Sequence, residues 1–103
     1  LEMHPEEHLI LAYKTKRANL ENEEDQIQKF QRKGDLEIEQ LVYELDTRLR
    51  NQELDGQTVS LLRQELYKAQ ESYNEIIRKE KHKCRQKLED NELDYRKNLS
   101  QLN

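Results

Sequence analysis

Apolar side chains recur along this chain in steps of three and four, and almost nothing interrupts them. From Ile27 the positions run Phe30, Gly34, Ile38, Leu41, Leu45, Leu49, Gln52 and Gly56. The steps are 3, 4, 4, 3, 4, 4, 3 and 4, an eleven-residue repeat. A half-buried strand alternates every second residue, so this period belongs to a helix. Eleven residues over three turns give about 3.67 per turn, which keeps paired helices nearly straight or slightly right-handed in their crossing. A second stretch carries the same period. Leu62, Tyr73, Cys84 and Tyr95 lie eleven apart, as do Leu66, Ile77, Leu88 and Leu99, and Ala69, Glu80, Asn91 and Leu102. Val59 joins the two stretches, with a phase slip of about one residue between Gly56 and Leu62. Upstream, Tyr13, Leu20 and Ile27 are seven apart, a heptad step with charged companions and therefore weaker pairing.

Helix breakers are scarce. The 103 residues hold two glycines and one proline, too few for a sheet protein's turns. Pro5 stands where proline is welcome, at a first helical turn, with Glu6 and Glu7 behind it. The stretch Phe30 to Gln40, FQRKGDLEIEQ, carries local stop signals: basic Arg32 and Lys33, Gly34 as a left-handed cap, and Asp35 to start again. The three-four steps nevertheless pass through Gly34 unbroken, which predicts that the helix continues. Breaking at both glycines would give helices of unequal length that cannot cover one another as bundle helices do. The expected fold is all-α: a short lead over 1–5, then a nearly continuous helix over 6–103 forming an extended coiled coil, with weak points at Gly34 and Gly56. Leu1-Glu2-Met3 reads as a cloning remnant before a start residue.

Only 33% of the residues are hydrophobic and 39% are charged, too lean for a self-contained core. The apolar stripe must then be covered by another chain. The expected oligomer interface is Ile27, Phe30, Ile38, Leu41, Leu45, Leu49, Val59, Leu62, Leu66, Ala69, Tyr73, Ile77, Cys84, Leu88, Tyr95, Leu99 and Leu102. Arg48, Gln52, Asp55, Glu80 and Asn91 interrupt it, and such polar seam residues discriminate against wrong registers. Leu9, Ile10, Leu11 and Tyr13 cover too wide an arc for a two-stranded seam and form a candidate partner patch.

Charge is placed unevenly. Residues 21–55 hold eleven acids and five bases, and residues 56–103 eight acids and ten bases. ENEED at 21–25 and RKEKHKCRQK at 78–87 are the poles. Two antiparallel chains paired at positions summing to 104 set these poles together and match Leu20 with Cys84, Ile38 with Leu66, and Leu45 with Val59. An antiparallel homodimer is therefore favoured, a tetramer being the other association open to the seam. In general style the pattern resembles the long helical rods of filament, motor-tail and centrosomal proteins, without a motif diagnostic of any one family.

Nothing in the sequence assembles a catalytic constellation. Ser60, Ser72 and Ser100 have no histidine in register, and no glycine-rich phosphate loop exists. His4 and His8, one turn apart with Glu7, lack the further ligands a zinc site takes, and His82 and Cys84 point to different faces. No enzyme activity, metal or cofactor is expected. The single cysteine excludes an internal disulfide framework and suits a reducing, intracellular setting, cytoplasmic or cytoskeleton-associated. No apolar run approaches the length of a membrane span.

The functional expectation is a non-enzymatic coiled-coil oligomerisation segment of a larger scaffold, cytoskeletal or adaptor protein. Its partners would be itself and other coiled-coil or cytoskeletal chains. Two other readings stand beside it. The basic run 78–87 could bind nucleic acid or a membrane surface by charge, though it lacks interleaved aromatics and carries the seam straight through. A compact helical bundle that binds other proteins is the second.

Overall fold

A computed structural model describes residues 4–102. They form two long α-helices, α1 over Pro5–Arg50 and α2 over Gly56–Leu102, joined by a five-residue turn. The expectation for Leu1-Glu2-Met3 lies outside the described residues.

Each helix end is built from identifiable chemistry. Pro5 opens α1, Glu6 and Glu7 lie in its first turn, and the His4 amide donates to Glu7 Oε2 at 3.3 Å. That bond is half of a capping box. The helix then runs through Gly34, as the unbroken period predicted.

It does not run through to the end of the chain. The expected continuous helix over 6–103 is replaced by two helices, because α1 closes in a Schellman motif. The Gln52 amide donates to the Leu49 carbonyl at 3.1 Å and the Glu53 amide to the Arg48 carbonyl at 2.9 Å. Gln52 takes the left-handed conformation this cap requires, with φ of 62°. Glycine usually fills that position, and here glutamine does. Arg48 and Arg50 sit in the last turn, where positive charge complements the helix dipole. Asp55 then caps α2, its Oδ1 accepting from the Thr58 amide at 2.7 Å, while the Val59 amide donates to the Asp55 carbonyl at 3.1 Å. Gly56 is thus the first residue of α2 rather than a breaker within a rod.

By contact density the chain divides into two units. One comprises residues up to Ile27 together with those from Lys79 onward. There Cys84 Sγ donates to the Leu20 carbonyl at 3.3 Å and Asn91 Nδ2 to the Tyr13 carbonyl at 3.2 Å. Both pairs sum to 104, the register expected between two chains, and here one chain makes them. Leu20, Cys84 and Asn91 are buried, and burial pushes the Cys84 thiol pKa up, with Glu23 and Glu24 adding to the rise. Tyr13 stacks on Tyr95 with ring centroids 4.4 Å apart. Its hydroxyl donates to Glu92, which raises the phenol and lowers the carboxyl. The charged poles also meet within the chain: Arg85 lies 3.7 Å from Glu24, and Lys87 3.8 Å from Glu23.

The other unit spans Gln28–Arg78 and contains the turn. Val59 and Ile77 are its buried apolar side chains. Between α1 and α2 here, Asp46 pairs with Arg63, Gln70 Nε2 donates to Asp35 Oδ1 at 3.3 Å, and the Tyr73 hydroxyl donates to the Phe30 carbonyl.

The cap at Asp55 gives a first test. Its carboxyl is held below the usual range chiefly by the Thr58 amide and then by the Thr58 hydroxyl. A lowered folded-state pKa means stabilisation that is present above the unfolded pKa and lost as pH falls through the folded value. Asp55→Ala is expected to lower the thermal midpoint by several degrees at neutral pH and to flatten its decline in acid. Asp55→Asn should keep most of the midpoint, and circular dichroism melts at several pH values read both.

Candidate functional site

The two flanks of the Gln28–Arg78 unit differ in chemistry. Along one, Asp35 meets Gln70 and Asp46 meets Arg63, so polar groups bridge the helices. Along the other the side chains beside the seam are apolar, and the bridge described there is the Tyr73 hydroxyl on the Phe30 carbonyl. Two open grooves lie there and meet at Leu41. The first, about 400 Å³, is lined by Phe30, Gly34, Ile38, Leu41, Ala69 and Tyr73, with Lys33, Glu37 and Gln70 at its edge. The second, about 460 Å³, is lined by Leu41, Leu45, Leu54, Leu62 and Leu66, rimmed by Glu44, Arg48 and Glu65.

The period explains why one flank is greasy. A strict two-helix seam uses one side chain at each three- or four-residue step, and the half-buried and buried residues Ile38, Val42, Leu45, Val59, Leu66 and Tyr73 fill it. Phe30, Leu41, Leu62 and Ala69 fall one position to the side. Phe30 remains 59% exposed, Leu41 44% and Leu62 41%. A second helix has been met, and the stripe is wider than one helix can cover.

The expected interface residues therefore separate into groups. Val59, Ile77 and Cys84 are buried in the intrachain seam, and Ile27, Ile38, Leu45, Leu66, Tyr73, Leu88, Tyr95 and Leu99 are half-buried. Phe30, Leu41, Leu49, Leu62, Ala69 and Leu102 stay exposed. In the expected partner patch, Tyr13 is engaged by Tyr95 and Glu92, Leu9 and Ile10 are half-buried, and Leu11 is exposed. Sequence reasoning passed over Val42 on α1 and Arg63 and Gln70 on α2, all three half-buried. It also passed over Leu54, which the turn carries into the second groove. The spacing of Val42, four from Ile38 and three from Leu45, was the available signal.

Among the described residues no group of three or more His, Cys, Asp or Glu side chains is placed to hold a metal ion, and no helix is long and apolar enough to cross a membrane.

Gly34 sets the floor of the first groove. A β-carbon there would lie 2.5 Å from Tyr73 Cε1 and 2.9 Å from Cζ, closer than real contacts allow. Gly34→Ala should gain helix propensity of about 1 kcal/mol yet lose more by displacing the Tyr73 ring. In Tyr73→Ala the same change should stabilise. A double-mutant cycle by urea denaturation is expected to give a coupling on the order of 1–2 kcal/mol; additive effects would mean that the ring and the glycine do not meet.

Comparison with protein-family models, with curated proteins and with solved structures finds no match to this chain.

Proposed function

We propose that this chain is a non-enzymatic assembly module, a helical hairpin that self-associates in coiled-coil fashion and so links a larger scaffold, cytoskeletal or adaptor protein. The observation that carries the reading is the one-sided apolar flank: Phe30, Leu41 and Leu62 exposed beside two grooves, opposite a flank tied by Asp35–Gln70 and Asp46–Arg63. Contiguous apolar surface rimmed by charge is what helices bury on association. Each well-buried Leu or Phe contributes about 1.5–3 kcal/mol. Several are needed to offset the roughly 4–15 kcal/mol lost in translational and rotational freedom. The row along this flank is long enough to supply them.

The charge-driven reading has less support. Within the basic run, Arg78 pairs with Glu75, Lys83 with Glu80, Arg85 with Glu24 and Lys87 with Glu23. Phosphate binding would have to compete with carboxylates already in place.

Sedimentation equilibrium across a concentration series tests the assembly reading. The wild-type mass is expected to rise above 12.6 kDa, and Leu41→Glu with Leu62→Glu to weaken association by at least about tenfold per site while far-UV circular dichroism keeps its helical signal. Leu36→Glu with Leu61→Glu, two residues from seam positions and so facing away, should leave the mass unchanged. A wild-type chain that stays monomeric at high concentration removes the proposal.

A further inference from the structure

The slip of one residue at Leu62 disappears in the folded chain, because the inward residue of α2 there is the half-buried Arg63 and Leu62 is exposed, so three- and four-residue steps join the seam of α1 to that of α2. From Ile38 the inward positions are Val42 and Leu45, and from Val59 they are Arg63 and Leu66. Between Leu45 and Val59 the residues that continue the three-four steps are Leu49, Gln52 and Gly56. If the turn straightened into helix, both inner seams would fall on a single face. Every cross-helix contact within each unit could then be remade with a second copy lying antiparallel.

The turn is made of residues that permit this. Asn51, Gln52, Glu53, Leu54 and Asp55 include no proline or glycine, and the left-handed position is held by Gln52 at φ 62°. A side chain in that region is disfavoured, and a helical φ would relieve it. Against straightening stand the Asp55 cap and Gly56, which is well placed at a helix start and poorly placed in a helix interior.

We infer that residues 51–55 are an exchange hinge, and that a second copy of this chain can replace α2 against α1, each hairpin opening to form a swapped antiparallel dimer through the seam. Swapping of an identical element keeps the contacts and changes only which chain supplies them. This goes beyond the open-flank assembly proposed above and uses a different surface, so the two can fail separately.

The test uses the full chain with Cys84→Ala, and donor and acceptor dyes at Ala18→Cys and Gln86→Cys, both exposed positions. The doubly labelled chain is unfolded, mixed with about twentyfold excess of unlabelled chain, refolded and separated by size. In a hairpin the dyes sit on adjacent helices of one unit and transfer energy. In a swapped dimer they are separated along one helix by about 100 Å at 1.5 Å per residue, and transfer is lost. Asp55→Ala with Gly56→Ala is expected to raise the ratio of swapped dimer to monomer, and Gln52→Gly to lower it, the two differing by about tenfold or more. Leu41→Glu with Leu62→Glu should leave the swapped fraction in place. A dimer that keeps its transfer under excess unlabelled chain consists of intact hairpins; it overturns the exchange and leaves the open-flank reading standing. The absence of any dimer from the Asp55→Ala, Gly56→Ala variant also overturns it.

Discussion

The fold depends on how α1 ends. A glutamine in the left-handed region lets the Leu49 and Arg48 carbonyls accept from Gln52 and Glu53, and three residues later Asp55 begins a second helix. Those few hydrogen bonds determine that the apolar stripe of one half of the chain meets the stripe of the other half. Remove the cap and the seam has no second wall within the molecule. The register follows from the turn, since its length fixes which side chains of α1 and α2 come opposite one another.

The seam that results is lean. Leu20, Val59, Ile77 and Cys84 are the apolar side chains buried among the described residues, and a polar one, Asn91, is buried with them. Asn91 is accommodated because its amide reaches the Tyr13 carbonyl, as Cys84 reaches the Leu20 carbonyl. Buried polar groups satisfied in this way define one alignment of the helices more sharply than sliding leucines would. The i to i+3 and i to i+4 ion pairs on the outer surfaces, such as Arg17–Glu21 and Arg48–Glu44, support the individual helices more than the contact between them.

Much of this was legible in the residues and some was not. The helical period, its passage through Gly34 and the antiparallel register all follow from spacing, and Cys84 does meet Leu20. What spacing cannot reveal is whether the register is made by two chains or by one. That choice rests on the turn, where the usual mark of a helix end is missing: the left-handed residue is Gln52, while the nearby glycine sits in the first turn of α2. Gly34, the more persuasive stop signal, is instead a place where the Tyr73 ring packs against backbone. The exposed row Phe30, Leu41 and Leu62 is visible in the sequence as apolar but is not separable there from the seam, because an eleven-residue repeat places both within the same broad stripe.

The difference between the two flanks of the Gln28–Arg78 unit would limit how far the proposed assembly could proceed. In the proposed assembly, a copy laid on the greasy side would turn its own hydrogen-bonded flank, where Asp35 meets Gln70 and Asp46 meets Arg63, to the solvent. Contacts of this isologous kind close on themselves. Propagation into fibres would require a sticky patch on both sides, and the Asp46–Arg63 and Asp35–Gln70 bridges occupy the side where it would have to be.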